Sequence, residues 1–135
     1  MKEMGSYGIA AIVIKKRKFL LLEDSRDPML GYWGPPHGRC TPEDLSEWDC
    51  VAREVLEETN LNVRPIKKLW TTKADTKVES VSFWLVEVLG GKIQTDTKET
   101  RSYGWFTPDD ALKLKLYPGT RRFFILLKEN RIQIL

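Results

Sequence analysis

The sequence predicts an α/β layered fold, and three observations carry that prediction. Short apolar runs bounded by turn residues recur at Tyr7–Ile14, Phe19–Glu23, Ile66–Thr72 and Val78–Leu89. A capped segment with helical periodicity lies between the second and third of them, over Ser46–Asn60. Two more helical stretches follow near the C-terminus, and strands interspersed with helices pack as layers around one core. With 135 residues the chain is read as one domain over 1–135, long enough to bury about two thirds of its unfolded surface.

The elements can be justified in order. Tyr7–Ile14 and Phe19–Glu23 read as two strands joined by the basic turn Lys15-Lys16-Arg17-Lys18. The first run is too short to span a bilayer and has no small-residue cleavage site, so neither a membrane segment nor a targeting signal is expected. Asp27-Pro28, Gly31, Gly34-Pro35-Pro36 and Gly38 then punctuate a long loop. A loop of that length in a compact domain is usually functional. Ser46 is a good N-cap with Asp49 three residues on, and Thr41-Pro42-Glu43-Asp44 offers a rival start. At about 100° per residue, Trp48, Ala52, Val55 and Leu56 share one arc, while Glu47, Glu54, Glu57 and Glu58 share another. The expectation is a surface helix that packs its apolar arc on the domain and turns its acidic arc to a cleft. Asn60 is the natural stop, since Asn tolerates left-handed backbone. Gly90-Gly91 is a turn, Tyr103–Phe106 a strand, Thr107-Pro108-Asp109-Asp110 a helix start, and Thr120–Glu129 a last helix.

Charge is unevenly distributed. Residues 38–60 hold two basic and seven acidic side chains, although the whole chain is +3. A concentrated acidic patch in a basic shell suits a metal site that receives a polyanion. No basic run is interleaved with aromatics, and no stable nucleic-acid complex is expected. Cys40 and Cys50 do not form a disulfide framework; reduced thiols and a cytoplasmic location are the expectation.

The chemistry concentrates in Arg53-Glu54-Val55-Leu56-Glu57-Glu58. Three carboxylates at i, i+3 and i+4 share a strip of helix surface and repel one another by a few tenths of a kcal/mol per pair, at about 0.2–0.5. Such packing makes sense around a cation. A solvated acidic face is the plainer alternative.

Together with Trp33, Pro36, Gly38, Leu61 and the later Trp105-Phe106, this segment resembles the signature of the Nudix (MutT-like) hydrolases, and Trp33–Gly38 and Phe83–Val88 resemble its dinucleoside polyphosphate hydrolases most. Two departures stand out. Gly38 to Arg53 is one residue longer than the signature spacing, so its first acid falls on Glu43 or Asp44, and Asn60 replaces the closing glycine. The resemblance implies a Nudix-type α/β/α sandwich with a mixed sheet. It also implies Mg²⁺- or Mn²⁺-dependent hydrolysis of a nucleoside diphosphate linked to another group, with dinucleoside polyphosphates or (oxidised) nucleoside triphosphates as the favoured substrates. Under it Glu54, Glu57 and Glu58, the His37 backbone carbonyl and Glu99 hold metal. Arg53 orients the carboxylates, and Glu54 or Glu99 serves as general base. Gly38, Arg39, Trp33 and Tyr32 are candidate substrate contacts, with Trp33 or Tyr32 stacking on a base. The expected partner is a small nucleotide, with no membrane, and homodimerisation stays open. The rival reading is a Nudix-fold nucleotide-binding regulatory module without turnover.

Overall fold

A computed structural model describes residues 7–73 and 80–134. Its elements are β1 (Tyr7–Ile12), β2 (Ile14–Lys15), β3 (Lys18–Asp24), β4 (Trp33–Gly34), β5 (His37–Arg39), α1 (Glu47–Thr59), β6 (Asn62–Lys73), β7 (Ser80–Gly90), β8 (Thr100–Phe106), α2 (Pro108–Ala111) and α3 (Pro118–Lys128). The predicted start of the fourth run, Val78, lies outside the described residues.

Two four-stranded sheets form the centre. One has the order β5-β1-β7-β6; in the other, β3 pairs with β2, β4 and β8. β1 runs parallel to β7 and antiparallel to β5, so the first sheet is mixed. A backbone bond from Leu20 N to Val13 O (3.0 Å) joins the sheets. Alternation along the strands divides the core in two. Ile9, Ala11, Val13, Leu20 and Leu22 face one side and meet Val51 and Val55 of α1. Ala10, Ile12, Phe19 and Leu21 face the other and meet Phe123 and Phe124 of α3. The result is the α/β/α sandwich expected.

Three expectations are corrected. First, the sulfurs of Cys40 and Cys50 are bonded, with no free cysteine in the chain. β5 and the first turn of α1 place the two Cα atoms 5.3 Å apart, within the usual range for a disulfide.

Second, α1 buries Cys50, Val51, Val55 and Thr59, and leaves Trp48 and Leu56 more than 40% exposed. Its N-cap is Ser46, and Asn60 ends it in the left-handed region (φ 65°), both as expected. The helix is therefore rotated so that Glu54 and Glu58 lie along the packed edge. Glu47 is drawn away from them by the Trp84 indole N–H (3.0 Å) and the Lys68 ammonium (3.1 Å).

Third, β6 begins at Asn62 and incorporates Pro65. It is an edge strand whose register shifts at Pro65/Lys67, and a proline is tolerated where an edge strand bulges. No helix among the described residues is long and apolar enough to cross a membrane.

Candidate active site

The packed edge of α1 lies on β5, and glycine makes that approach feasible. A Cβ at Gly38 would sit 2.0 Å from Glu54 Oε2. The Glu54 carboxylate thus occupies the space a side chain at 38 would fill, and its own side chain is only 15% exposed. One turn on, Glu58 Oε2 accepts the backbone N–H of His37 (3.3 Å). Burial pushes the Glu58 carboxyl up to about 7, and burial also raises Glu54. Both carboxylates are held in a setting that disfavours their charge.

Arg53 answers part of that charge. Its Nε and Nη2 reach the two oxygens of Asp44 (2.9 and 2.8 Å), while Nη1 reaches Glu54 (2.9 Å) and Glu57 (3.1 Å). Nη2 also donates to the carbonyl of Arg39 (3.2 Å). The planar five-donor fork suits such a junction. Hydrogen bonding from Arg53 holds the Asp44 carboxyl below its usual range, and Asp44 accepts the Thr41 N–H as well (2.8 Å). Of the two acids left open by the longer loop, the structure places Asp44 buried on Arg53 and Glu43 in solvent.

Across from Glu58 a small cleft is lined by His37, Asp24, Arg26, Glu99 and Tyr117. Asp24, at the end of β3, takes the Tyr117 hydroxyl (2.5 Å) on one oxygen and the Arg26 N–H and Nε on the other (2.9 and 3.2 Å). Burial alone would raise Asp24, but these donors outweigh it and hold the carboxyl low, whereas burial and Asp24 together push the Tyr117 phenol up. Segment 25–26 also grips the loop that carries Glu99. Ser25 N donates to Glu99 O (3.1 Å), Ser25 Oγ to Lys98 O (2.8 Å), and Arg26 Nη1 to Glu99 Oε1 (3.4 Å).

The arrangement of a Pro/Gly strand under an Arg-Glu-x-x-Glu-Glu helix has a counterpart in known proteins. The sequence profile of the NUDIX domain matches residues 6–127. The chain belongs to the Nudix hydrolase family. A protein of Bacillus subtilis (strain 168) named "Putative 8-oxo-dGTP diphosphatase" is 28% identical over 119 residues, covering 88% of this chain and 77% of that protein. An ADP-ribose pyrophosphatase from Streptococcus suis 89-1591 superposes with a TM-score of 0.73 at 29% identity, over 96% of this chain and 93% of its own. A C. elegans Ap4A hydrolase shares the fold, with a TM-score of 0.74 at 23% identity over 92% and 97% of the two chains.

Within this Nudix site the sequence-based candidates divide. Glu58, His37 and Glu99 line one cleft, and Glu54 lies beside it against Gly38. Glu57 is turned outward toward Arg53, its side chain 59% exposed. The glutamates do not converge on a point. Among the described residues the one cluster of three such donors within 4.8 Å is Cys40, Asp44 and Cys50, already committed to the disulfide and to Arg53. Trp33 is not at the cleft; it packs edge-on to Phe106 at 5.3 Å, because β4 pairs with β3 and turns it into the α3-side core. Tyr32 stacks on Tyr117 at 5.7 Å under the Lys115 ammonium, which puts it behind the cleft wall. Asp24, Arg26 and Tyr117 were not singled out by sequence reasoning, and no local pattern links residues 93 positions apart. The apolar run ending in Glu23-Asp24 was the one usable sign, since an acid closing a buried strand needs donors.

Proposed function

We propose that this Nudix hydrolase uses a divalent cation, Mg²⁺ or Mn²⁺, to hydrolyse a pyrophosphate bond of a nucleoside diphosphate linked to a further group. Nucleoside triphosphates, oxidised ones included, are the first substrates to test. The observation that carries the reading is the pair Glu54 and Glu58: two carboxylates one turn apart, withdrawn from water beside Gly38 and His37, both pushed upward by burial. Buried acids of like charge need a cation nearby to stay ionised. The donor set is all oxygen, which fits a hard divalent ion. Glu54, Glu57 and Glu58 would hold it, with the His37 carbonyl and Glu99 as further oxygens. When bound, the cation neutralises phosphate charge and acidifies water.

The remaining tasks fall to the chain itself. Arg53 fixes Glu54 and Glu57 relative to Asp44, so the carboxylates face the substrate in a set orientation. Glu54 and Glu99 are the candidate proton acceptors. Glu99 approaches from the opposite wall, held by Ser25 and Arg26. Gly38 and Arg39 at the β5 rim are the nearest candidates for contact with the phosphate chain. The Bacillus relative's name supports an oxidised-purine triphosphate as the first test, ahead of the dinucleoside polyphosphates that the sequence favoured.

The test is turnover with Mg²⁺ or Mn²⁺ of a panel: normal and oxidised nucleoside triphosphates, dinucleoside polyphosphates and ADP-ribose, with products identified. Hydrolysis of at least one member, with kcat lowered by a factor of about 10² or more in Glu58→Gln, supports the reading. Wild-type activity unaffected by Glu58→Gln and by Glu57→Gln overturns it. Comparing Glu54→Gln with Glu99→Gln at matched metal occupancy names the base as the variant with the larger kcat loss.

A further inference from the structure

The glutamate site leaves one conspicuous sequence feature unused, the turn Lys15-Lys16-Arg17-Lys18. In the linear sequence only Phe19 adjoins it, and that ring is buried; the fold supplies a second aromatic. β8 lies antiparallel on β3 with Trp105 opposite Leu20, and this brings the indole to the base of the hairpin. Lys15, Lys16, Lys18 and Trp105 together line a concavity of about 270 Å³. Lys16 and Arg17 take positive φ (52° and 65°), a tight turn that is usually given to Asn or Gly and here projects cations instead. Among the described residues no acid pairs with any of the four cations.

The aromatic character continues along the strand. Tyr103 stands two residues before Trp105, opposite Leu22, and so shares its face; it is 47% exposed. Positions two apart on a strand are about 6.6 Å apart, which gives each ring room for a separate flat group. At the far end of the same strand pair, Asp24, Glu99 and Thr100 line the glutamate cleft. Lys18 and Asp24 are six positions apart on β3, about 20 Å, so the lysine end lies away from the glutamate cleft, while Tyr103, opposite the cleft-lining Leu22, reaches toward its edge along the shared β-ribbon.

We propose that the face formed by Tyr103, Trp105 and the lysines of the 15–18 turn binds single-stranded nucleic acid. The exposed ring of Tyr103, and the part of Trp105 that lines the concavity while the rest packs on the α1-side core, offer stacking surfaces that accept any base, and the lysines neutralise the intervening phosphates. An acidic peptide would use the lysines and leave the rings idle. The preference for a nucleic acid also draws on the reading of the glutamate cleft as a nucleotide site.

The experiment uses the full chain in EDTA, with no divalent ion, and follows anisotropy of a fluorescein-labelled single-stranded RNA of about 12 nucleotides, within the usual site sizes. The triple variant Lys15→Gln/Lys16→Gln/Lys18→Gln alters only the hairpin surface. It should bind about tenfold or more weakly and make the slope of log K against log salt shallower by about 2, at about 0.7 for each phosphate no longer neutralised. Tyr103→Ala should cost about tenfold by removing a stacking surface. Nucleotide hydrolysis by the triple variant should equal wild type. Equal RNA affinity in wild type and triple variant overturns the site. So does equally tight binding of polyglutamate, or of phosphatidylserine-containing vesicles, which would identify a general anion or membrane surface. Because binding is read without divalent ions, RNA binding by a protein that hydrolyses nothing would overturn the hydrolase reading and keep this site, and the converse pattern would do the reverse.

Discussion

Arg53 and Asp44 form a two-pronged ion pair across the loop that precedes α1, with Nε and Nη2 each within 2.9 Å of a different carboxylate oxygen. The Asp44 side chain is 5% exposed and that of Arg53 30%. Removing one partner of such a pair leaves the other partly desolvated, which costs about 3–5 kcal/mol when both are fully buried. For this half-open pair, Asp44→Ala should cost about 2–3 kcal/mol in urea unfolding and should lower kcat by releasing Arg53 from its set orientation. Exposed Glu43→Ala should stay within about 0.5 kcal/mol. A reversed ranking would show that Glu43 is the acid that anchors the loop.

Gly38 owes its identity to Glu54. A methyl group there overlaps the carboxylate, with Oε2 at 2.0 Å and Cδ at 2.1 Å. Gly38→Ala should therefore displace Glu54 from Arg53, lower kcat at least about tenfold and cost about 1–3 kcal/mol as an overpacked contact. Combining it with Glu54→Ala should recover most of the stability and none of the activity, because the clash and the carboxylate disappear together. Additive stability losses in the double variant would show that the two residues do not meet.

The pairing of Glu54 with Gly38 also marks where sequence reasoning was strong and where it failed. The spacing of Arg53, Glu54, Glu57 and Glu58 located the acidic strip of the helix, and Ser46 and Asn60 located its two caps. The orientation of that helix was partly misread: the acidic arc was rightly turned to a cleft, but Leu56 and Trp48 were assigned to the packed face and are exposed, while Glu54 and Glu58 lie along the packed edge. A helical wheel has no means of knowing that a missing side chain at 38 and a free amide at 37 sit opposite, ready to receive two glutamates. The continuous apolar runs Ile9–Val13 and Phe19–Leu22 marked two strands, but which of their residues meet α1 and which meet α3 became visible only in the fold. The Tyr117–Asp24–Arg26 link and the placement of Trp105 beside the basic hairpin were not legible either, since both depend on strand register between distant segments.

Stability should depend on pH and metal in a linked way. Glu58 has its folded value pushed up to about 7 from an ordinary 4.5. Below the ordinary value the carboxyl is protonated in both states and contributes no penalty. As pH rises from there toward 7 the unfolded chain ionises first, so the folded state loses stability, by about 1.4 kcal/mol per unit of displacement. Asp24 and Asp44 are held low, so their stabilising contributions are complete above the ordinary Asp range and stay constant across this window. In EDTA the unfolding free energy should fall by roughly 2–3 kcal/mol between pH 5 and pH 8. Saturating Mn²⁺ should restore it at pH 8 and do little at pH 5, since protons compete for the same oxygens. Glu58→Gln should abolish most of the pH slope; an unchanged slope would assign it to other groups.

The Cys40–Cys50 bond replaces the reduced pair that sequence reasoning expected, and its consequence for the site can be measured. It closes a loop with a sequence separation of 10, and that loop contains Asp44. In the chain-entropy account a closure of this size contributes about 2.7 kcal/mol at 25 °C, by restricting the unfolded chain. Cys40→Ala/Cys50→Ala should therefore lower the unfolding free energy by about 2–3 kcal/mol, and dithiothreitol should do the same to wild type while leaving the double variant unchanged. Both cysteine residues are buried, at 1% and 0% exposure. Reduction should thus be slow in native buffer and fast in denaturant, a contrast that thiol alkylation followed by mass analysis reads directly. The double variant should keep kcat within about threefold, because Arg53 holds Asp44 through its own two bonds. A large kcat loss would make the disulfide, rather than the guanidinium, the element that sets the loop. Alkylation of both cysteines in denatured, unreduced protein would show that the pair is carried as free thiols.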